Sequence, residues 1–265
     1  MFTVNDFLQS KLSKQKISMV TAYDYTTAKI INQSSVDSIL VGDSVSMVVH
    51  GFESTLNATV EMMKMHVAAV KRGAPSKFII ADMPFLSFRK GISVAMEAVE
   101  QLMQSGGCAV KIEGVRGHEE IIKHIVQSGV PVVGHLGLTP QSVHSLSGYK
   151  VQGKSKSSYE QILEDAGTLE VLGVFALVLE CVPECLGQEV TSLLKIPTIG
   201  IGAGSQVDGQ VLVIQDLLGM SSGPYPKFVR QYLHGFDLTQ KALDQFHVEV
   251  TQGSFPNKNE SYIYE

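Results

Sequence analysis

The chain has no apolar run of the ~18 residues that a membrane-spanning helix needs, so no membrane partner is expected. It has no basic excess either. Lysine and arginine number 21 against 26 aspartates and glutamates, a net charge of -5, so the electrostatic footprint for nucleic acid is missing. Cysteine is scarce and odd in number: Cys108, Cys181 and Cys185. Three cysteines without a second ligand pair at zinc spacing argue against a disulfide framework and a zinc site, and read as plain buried thiols. The N-terminal stretch MFTVNDFLQSKLSKQK carries charges in its first turns and no apolar signal core, so a cytoplasmic location is expected. Low-complexity tracts are absent.

What is present is a series of short apolar runs, each ending on a polar residue. ILVGD ends on Asp43, FIIAD on Asp82, AVKIE on Glu113, VPVVGH on His135 and ALVLE on Glu180, while IPTIGIGAG runs into a glycine-rich turn. Runs without polar alternation read as strands buried on both faces. Helix-length segments separate them. Residues 1–16 predict an N-terminal helix, followed by strands at 17–22, 38–43, 76–83, 108–114, 130–137, 175–182, 196–204 and 211–219. Helical pattern returns over 227–253, and 254–265 reads as a loose tail. Eight βα units in 265 residues match the ~250 residues usual for a (β/α)8 barrel, so one barrel domain over 1–265 is expected. Loops longer than ~12 residues are uncommon and usually functional. Two are predicted, 44–58 and 138–157, both after strand carboxyl ends, where barrel enzymes keep their chemistry.

Asp43, Asp82 and Glu113 end consecutive strands, which are neighbours in a barrel. Three carboxylates at one rim are tolerable around a hard cation, and all-oxygen ligands favour Mg²⁺ over Zn²⁺. Taken singly, each could instead cap a loop. Lys111 lies two residues before Glu113 and so faces the same side of its strand. It could clamp a substrate carboxylate, form a Schiff base or simply neutralise Glu113. Glu180 closes a nearly all-apolar run. Such an acid tends to have a raised pKa that suits a general base, and the plainer reading is an ion pair at the rim. His135 could bind substrate, orient a carboxylate or serve structure alone. Ser44 could donate to a substrate carboxylate or merely form a turn. Gly200-x-Gly202-x-Gly204 is a weak dinucleotide signal, because no acidic residue ends a strand ~20 residues on.

TAYDY (21–25), VGDS (41–44), ESTL (53–56), ADMPF (81–85), VKIEG (110–114), PVVGHLGLTPQSV (131–143), GYKVQG (148–153), LVLECVP (177–183), PTIGIGAG (197–204), DGQVLV (208–213) and PKFV (226–229) together resemble the ketopantoate hydroxymethyltransferase family. The resemblance implies a TIM barrel of the phosphoenolpyruvate-mutase/isocitrate-lyase type. It implies Mg²⁺, 5,10-methylenetetrahydrofolate as co-substrate, 3-methyl-2-oxobutanoate as substrate and assembly as a homodecamer. Metal ligands would fall on Asp43, Asp82 and, through water, Glu113. Substrate contacts would fall on Asp43, Ser44, Asp82 and Lys111, with Glu180 as proton acceptor. Two places depart from the family pattern. Ser46 stands where the family usually has glycine, and the loop after ADMPF reads LSFRKGI. The competing readings are a folate-independent, metal-dependent lyase of 2-oxo acids and a catalytically silent barrel that binds or assembles.

Overall fold

A computed structural model of the chain describes residues 2–263. Two compact units are found, Met1–Val213 and Ile214–Glu265. In the first, eight parallel strands close a barrel in chain order. They are β1 (Ile17–Thr21), β2 (Ser38–Val41), β3 (Phe78–Asp82), β4 (Ala109–Glu113), β5 (Val132–Gly137), β6 (Ala176–Glu180), β7 (Thr198–Ile201) and β8 (Gly209–Leu212). The helices of this unit are α1 (Val4–Ser13), α2 (Tyr25–Gln33), α3 (Val45–Val48), α4 (Val60–Gly73), α5 (Ile92–Gln104), α6 (Glu119–Gln127), α7 (Lys156–Leu172) and α8 (Glu184–Leu193). β2, β3 and β4 are buried at every position, as strands with helices outside and a filled barrel inside must be.

Local chemistry sets the helix ends. Asp24 caps α2 by accepting from the Thr27 N–H, and Thr59 caps α4 by accepting from Met62. Each satisfies an amide that the first helical turn leaves unpaired. α1 brings Phe7 against Phe78 and Phe175, with ring centroids 5.5 and 5.2 Å away. Both partners sit where their strands begin, so this fully buried ring lies at the end of the barrel opposite the acids. Gly137 is forced by close approach. Its φ is +91°, and a Cβ there would stand 2.2 Å from the Glu180 carbonyl oxygen.

Several expectations need correction. The run predicted as strand eight is mostly not strand. β8 ends at Leu212, and Ile214–Leu217 forms a short helix, α9. An unbroken apolar run does not by itself separate strand from buried helix. The helical pattern over 227–253 resolves into α10 (Gly235–Thr251). The residues before it are held instead by Tyr232 N–H donating to Leu217 and Gly235 N–H donating to Leu218. Within the expected loose tail, Lys258–Glu260 makes a 3-10 turn capped by Asn257; residues 264 and 265 lie outside the described residues. All three cysteines are free, but none is fully buried as expected: Cys108 and Cys181 are half-buried, and Cys185 faces outward on α8 and is exposed. No helix among the described residues is long and apolar enough to cross a membrane.

Candidate active site

The carboxyl ends of β2 to β6 bring the predicted polar residues into one buried row. Strand register decides who meets whom. Asp82 pairs with Lys111 across β3 and β4, and Glu113 pairs with His135 across β4 and β5. Lys111 and Glu113 face the same side, as their spacing required. The Lys111 Nζ lies 3.1 Å from Asp82 Oδ1 and 3.9 Å from Glu113 Oε1. It also lies 3.1 Å from His135 Nδ1. On its other edge His135 Nε2 reaches Glu180 Oε2 at 3.3 Å.

Asp43 joins from just beyond β2. Its backbone N–H donates to Asp82 Oδ2 at 3.0 Å. The preceding residue must be small, since a Cβ on Gly42 would stand 2.7 Å from Ser44 Oγ. Ser44 and the buried Tyr23 share a hydroxyl hydrogen bond of 2.8 Å.

Electrostatics make this an expensive place. Burial, then Asp82 and Glu113 nearby, push the Asp43 carboxyl well above its usual range. Burial raises Asp82 against the pull of Lys111 and pushes Glu113 up to about 7. Burial works against the charge on Lys111, but Asp82, Glu113 and Asp43 more than offset it and hold the ammonium on. Burial and then the Lys111 charge push His135 down. One ammonium therefore faces three acids.

The residues fit a hard cation in their chemistry. Asp82 Oδ1 and Glu113 Oε1 are buried with the Lys111 ammonium nearby but no aligned hydrogen bond, and all the candidate ligand atoms are oxygens. Among the described residues no three His, Cys, Asp or Glu side chains stand close enough to hold one ion between them.

Glu180 differs from its expected setting. It is not walled by apolar groups alone, since His135 faces it, and its side chain is 18 % exposed against 3 to 4 % for its neighbours in the row. That places it at the mouth, on the solvent side. Gly200, Gly202 and Gly204 form the end of β7 and its turn. There the Cβ of a residue at 204 would collide with Glu184, so packing explains that glycine.

Three contributors escaped the sequence reading. Gln141, in the long loop after β5, contacts both Asp43 and Glu113. Tyr149, in the same loop, donates to Met47 Sδ at 3.6 Å. Burial and then Asp43, Glu180 and Glu113 raise its phenol, so it overlooks the mouth. Tyr23 supports Ser44. Its place directly after β1 was the one available signal; a glutamine or tyrosine in a polar loop gives none.

A model of the ketopantoate hydroxymethyltransferase family matches residues 1–258. The chain belongs to that family. It is 54 % identical over 262 residues to a 3-methyl-2-oxobutanoate hydroxymethyltransferase of Bdellovibrio bacteriovorus, covering 99 % of this chain and 100 % of the relative. A Francisella tularensis subsp. novicida enzyme of the same name is 48 % identical over 264 residues, covering all of both chains. Family membership makes the chain a hydroxymethyltransferase. Among solved structures, a 2,3-dimethylmalate lyase of the PEP mutase/isocitrate lyase superfamily aligns with a TM-score of 0.61 at 14 % identity, over 99 % of this chain and 93 % of that one. A phosphonopyruvate hydrolase gives 0.63 at 12 %, over 100 % and 92 %. The fold expected from the resemblance is thus the one observed.

The two departures from the family pattern have structural work here. Ser46 is fully buried, and its hydroxyl lies 3.0 Å from the Asp43 carbonyl and 2.9 Å from that of Ser54, tying the long loop to the carboxyl end of β2. In the loop after ADMPF, Phe88 is buried and Arg89 donates to the Glu113 carbonyl at 3.4 Å.

Proposed function

We propose that the enzyme transfers a hydroxymethyl group from 5,10-methylenetetrahydrofolate to 3-methyl-2-oxobutanoate, giving 2-dehydropantoate. The observation that carries this reading is the row Asp82–Lys111–His135–Glu180, in which an anion-binding ammonium and a partly exposed carboxylate share one mouth. Mg²⁺ held by Asp43 and Asp82, with Glu113 behind a water, would supply Lewis-acid polarisation of the keto group, which acidifies the neighbouring C3–H.

The chain's own residues do the rest. Lys111 holds a fixed positive charge for the substrate carboxylate, and Ser44, its hydroxyl oriented by Tyr23, donates a hydrogen bond to it. Glu180, at the solvent side of the row, takes the C3 proton as general base. The carbon so freed forms a bond to the folate methylene carbon, whose two bonds to the folate nitrogens break. Water supplies the hydroxyl, and the proton held by Glu180 and one from water go to those nitrogens as tetrahydrofolate leaves. The buried walls on the Lys111 side keep water from the developing negative charge, where fixed positive groups act most strongly.

Self-association, expected as a homodecamer, finds support in the second unit. There α10 exposes Leu238, Leu243, Phe246, Val248 and Val250. Light scattering of the purified chain tests it.

Deuterium exchange at C3 of 3-methyl-2-oxobutanoate, with and without Mg²⁺ and without folate, tests the chemistry. Exchange should require both Mg²⁺ and Glu180. Exchange that persists in a chelator would sink the metal role, and product formation without folate would favour the lyase reading.

A further inference from the structure

Gln141 takes no part in the chemistry above, yet it grips two of the acids. It lies in the 3-10 turn Pro140–Ser142 that follows β5 and is buried. Its backbone N–H donates to Glu113 Oε2 at 3.0 Å. Its side-chain Nε2 donates to Asp43 Oδ2 at 2.8 Å and to the Met83 carbonyl at 2.9 Å. A carboxamide nitrogen has two hydrogens, so both are committed. The bond to the Met83 backbone fixes the plane of the amide, and the remaining hydrogen is aimed at Asp43.

The same device recurs around the row. Asp82 Oδ2 accepts the Asp43 N–H at 3.0 Å. Each of the three acids therefore has one oxygen engaged by an N–H. On Asp82 and Glu113 the other oxygen is buried and faces the Lys111 ammonium, at 3.1 and 3.9 Å, with no aligned hydrogen bond. The carboxylates are held so that each can give a cation one oxygen.

We infer that Gln141 is a positioning residue that sets the choice of ion, by restricting Asp43 to one free oxygen and so favouring Mg²⁺ over Ca²⁺. The inference rests on the metal reading proposed above. Mg²⁺ demands near-octahedral ligands at ~2.0–2.1 Å and keeps several waters, which single oxygens from separate carboxylates satisfy. Ca²⁺ takes 6–8 oxygens at ~2.3–2.6 Å and readily accepts both oxygens of one carboxylate. Two-oxygen binding by Asp43 would require breaking the Gln141 bond. Glu113 is held by a backbone N–H instead, so a side-chain substitution at 141 spares that contact and removes only those to Asp43 and the Met83 carbonyl.

Calorimetric titration of the full chain with Mg²⁺ and with Ca²⁺, without substrate, is the test. Gln141→Met keeps the length and removes the donor. Gln141→Asn keeps a donor but is too short to reach Asp43 from the same backbone. Partners behind a ligand typically affect metal affinity 10–100-fold. Both variants should lose about that much for Mg²⁺, with a smaller loss or a gain for Ca²⁺, so the Mg²⁺:Ca²⁺ affinity ratio falls roughly tenfold or more. Equal weakening of both ions, with a lower melting temperature of the metal-free protein, would mean packing alone and overturn the inference. An unchanged ratio in Gln141→Asn overturns it even if Gln141→Met does not fold. If the unsubstituted chain binds no Mg²⁺, the metal reading itself fails and takes this inference with it.

Discussion

The Lys111 Nζ stands 3.1 Å from His135 Nδ1, and that contact fixes the imidazole tautomer. An ammonium has only hydrogens to offer, so Nδ1 must accept. In the neutral ring the proton then sits on Nε2, the atom 3.3 Å from Glu180 Oε2. Burial and the Lys111 charge both keep the ring neutral. Replacing His135 by Phe should therefore leave Glu180 without its N–H. Nε2 faces Glu180 at 3.3 Å without hydrogen-bond alignment, and such catalytic contacts tighten when substrate binds. A hydrogen bond to a charged group contributes about 1.5–3 kcal/mol, so kcat should fall roughly 10- to 100-fold with KM within about twofold. Steady-state kinetics decide. A raised KM with an unchanged kcat would instead make His135 a substrate-binding residue.

Glu180→Gln keeps the shape and the hydrogen-bond reach of the carboxylate but cannot take a proton. General bases contribute ~10²–10⁴-fold, and the variant should lose about that in C3 exchange while binding substrate normally. Near-normal exchange would remove Glu180 from the role.

The pH dependence of stability follows from the crowded acids. Glu113 is raised in the folded chain to about 7 from its ordinary 4.5. A group raised on folding contributes stability that is full below its unfolded pKa and lost as pH climbs through its folded one. Asp43 and Asp82 are raised as well. Metal-free protein should thus melt at a lower temperature as pH rises from about 5 to 8. Saturating Mg²⁺ should flatten this slope, because a bound cation favours the ionised acids. Calorimetric scans in chelator and in Mg²⁺ check both halves. A metal-free melting temperature that rises over that window would show that these acids are not crowded.

Ser46→Ala should cost about 1–2 kcal/mol in urea unfolding, because two buried carbonyls share the lost hydroxyl hydrogen. Mg²⁺ affinity should change little, since Asp43 keeps its own backbone and Gln141 contacts. No measurable cost would mean that water replaces the hydroxyl.

Much of the barrel was legible because its strands are short apolar runs ended by glycines, acids and turn residues. Asp43, Asp82, Glu113, His135 and Glu180 stood out because each closes an apolar run, and Lys111 because it lies two residues before Glu113 on the same side of its strand. Three things were not legible. Apolar continuity hid the change from strand to helix after Leu212. The contacts of Gln141 and Tyr149 depend on where a long loop folds back, which no local pattern encodes. The partner of Glu180 depends on register, because His135 reaches it from the neighbouring strand.

That register carries one more consequence. Asp82 opposite Lys111, and Glu113 opposite His135, are set by which residue pairs with which across β3, β4 and β5. A slip of one residue in β4 would turn Lys111 and Glu113 out of the barrel and bring their neighbours in. A chain so misaligned could still bury a similar apolar area, but it would have neither its ammonium nor its acid in the mouth. Turnover is therefore a fidelity check on strand alignment, and the active fraction of a refolded sample counts the molecules whose β4 paired correctly.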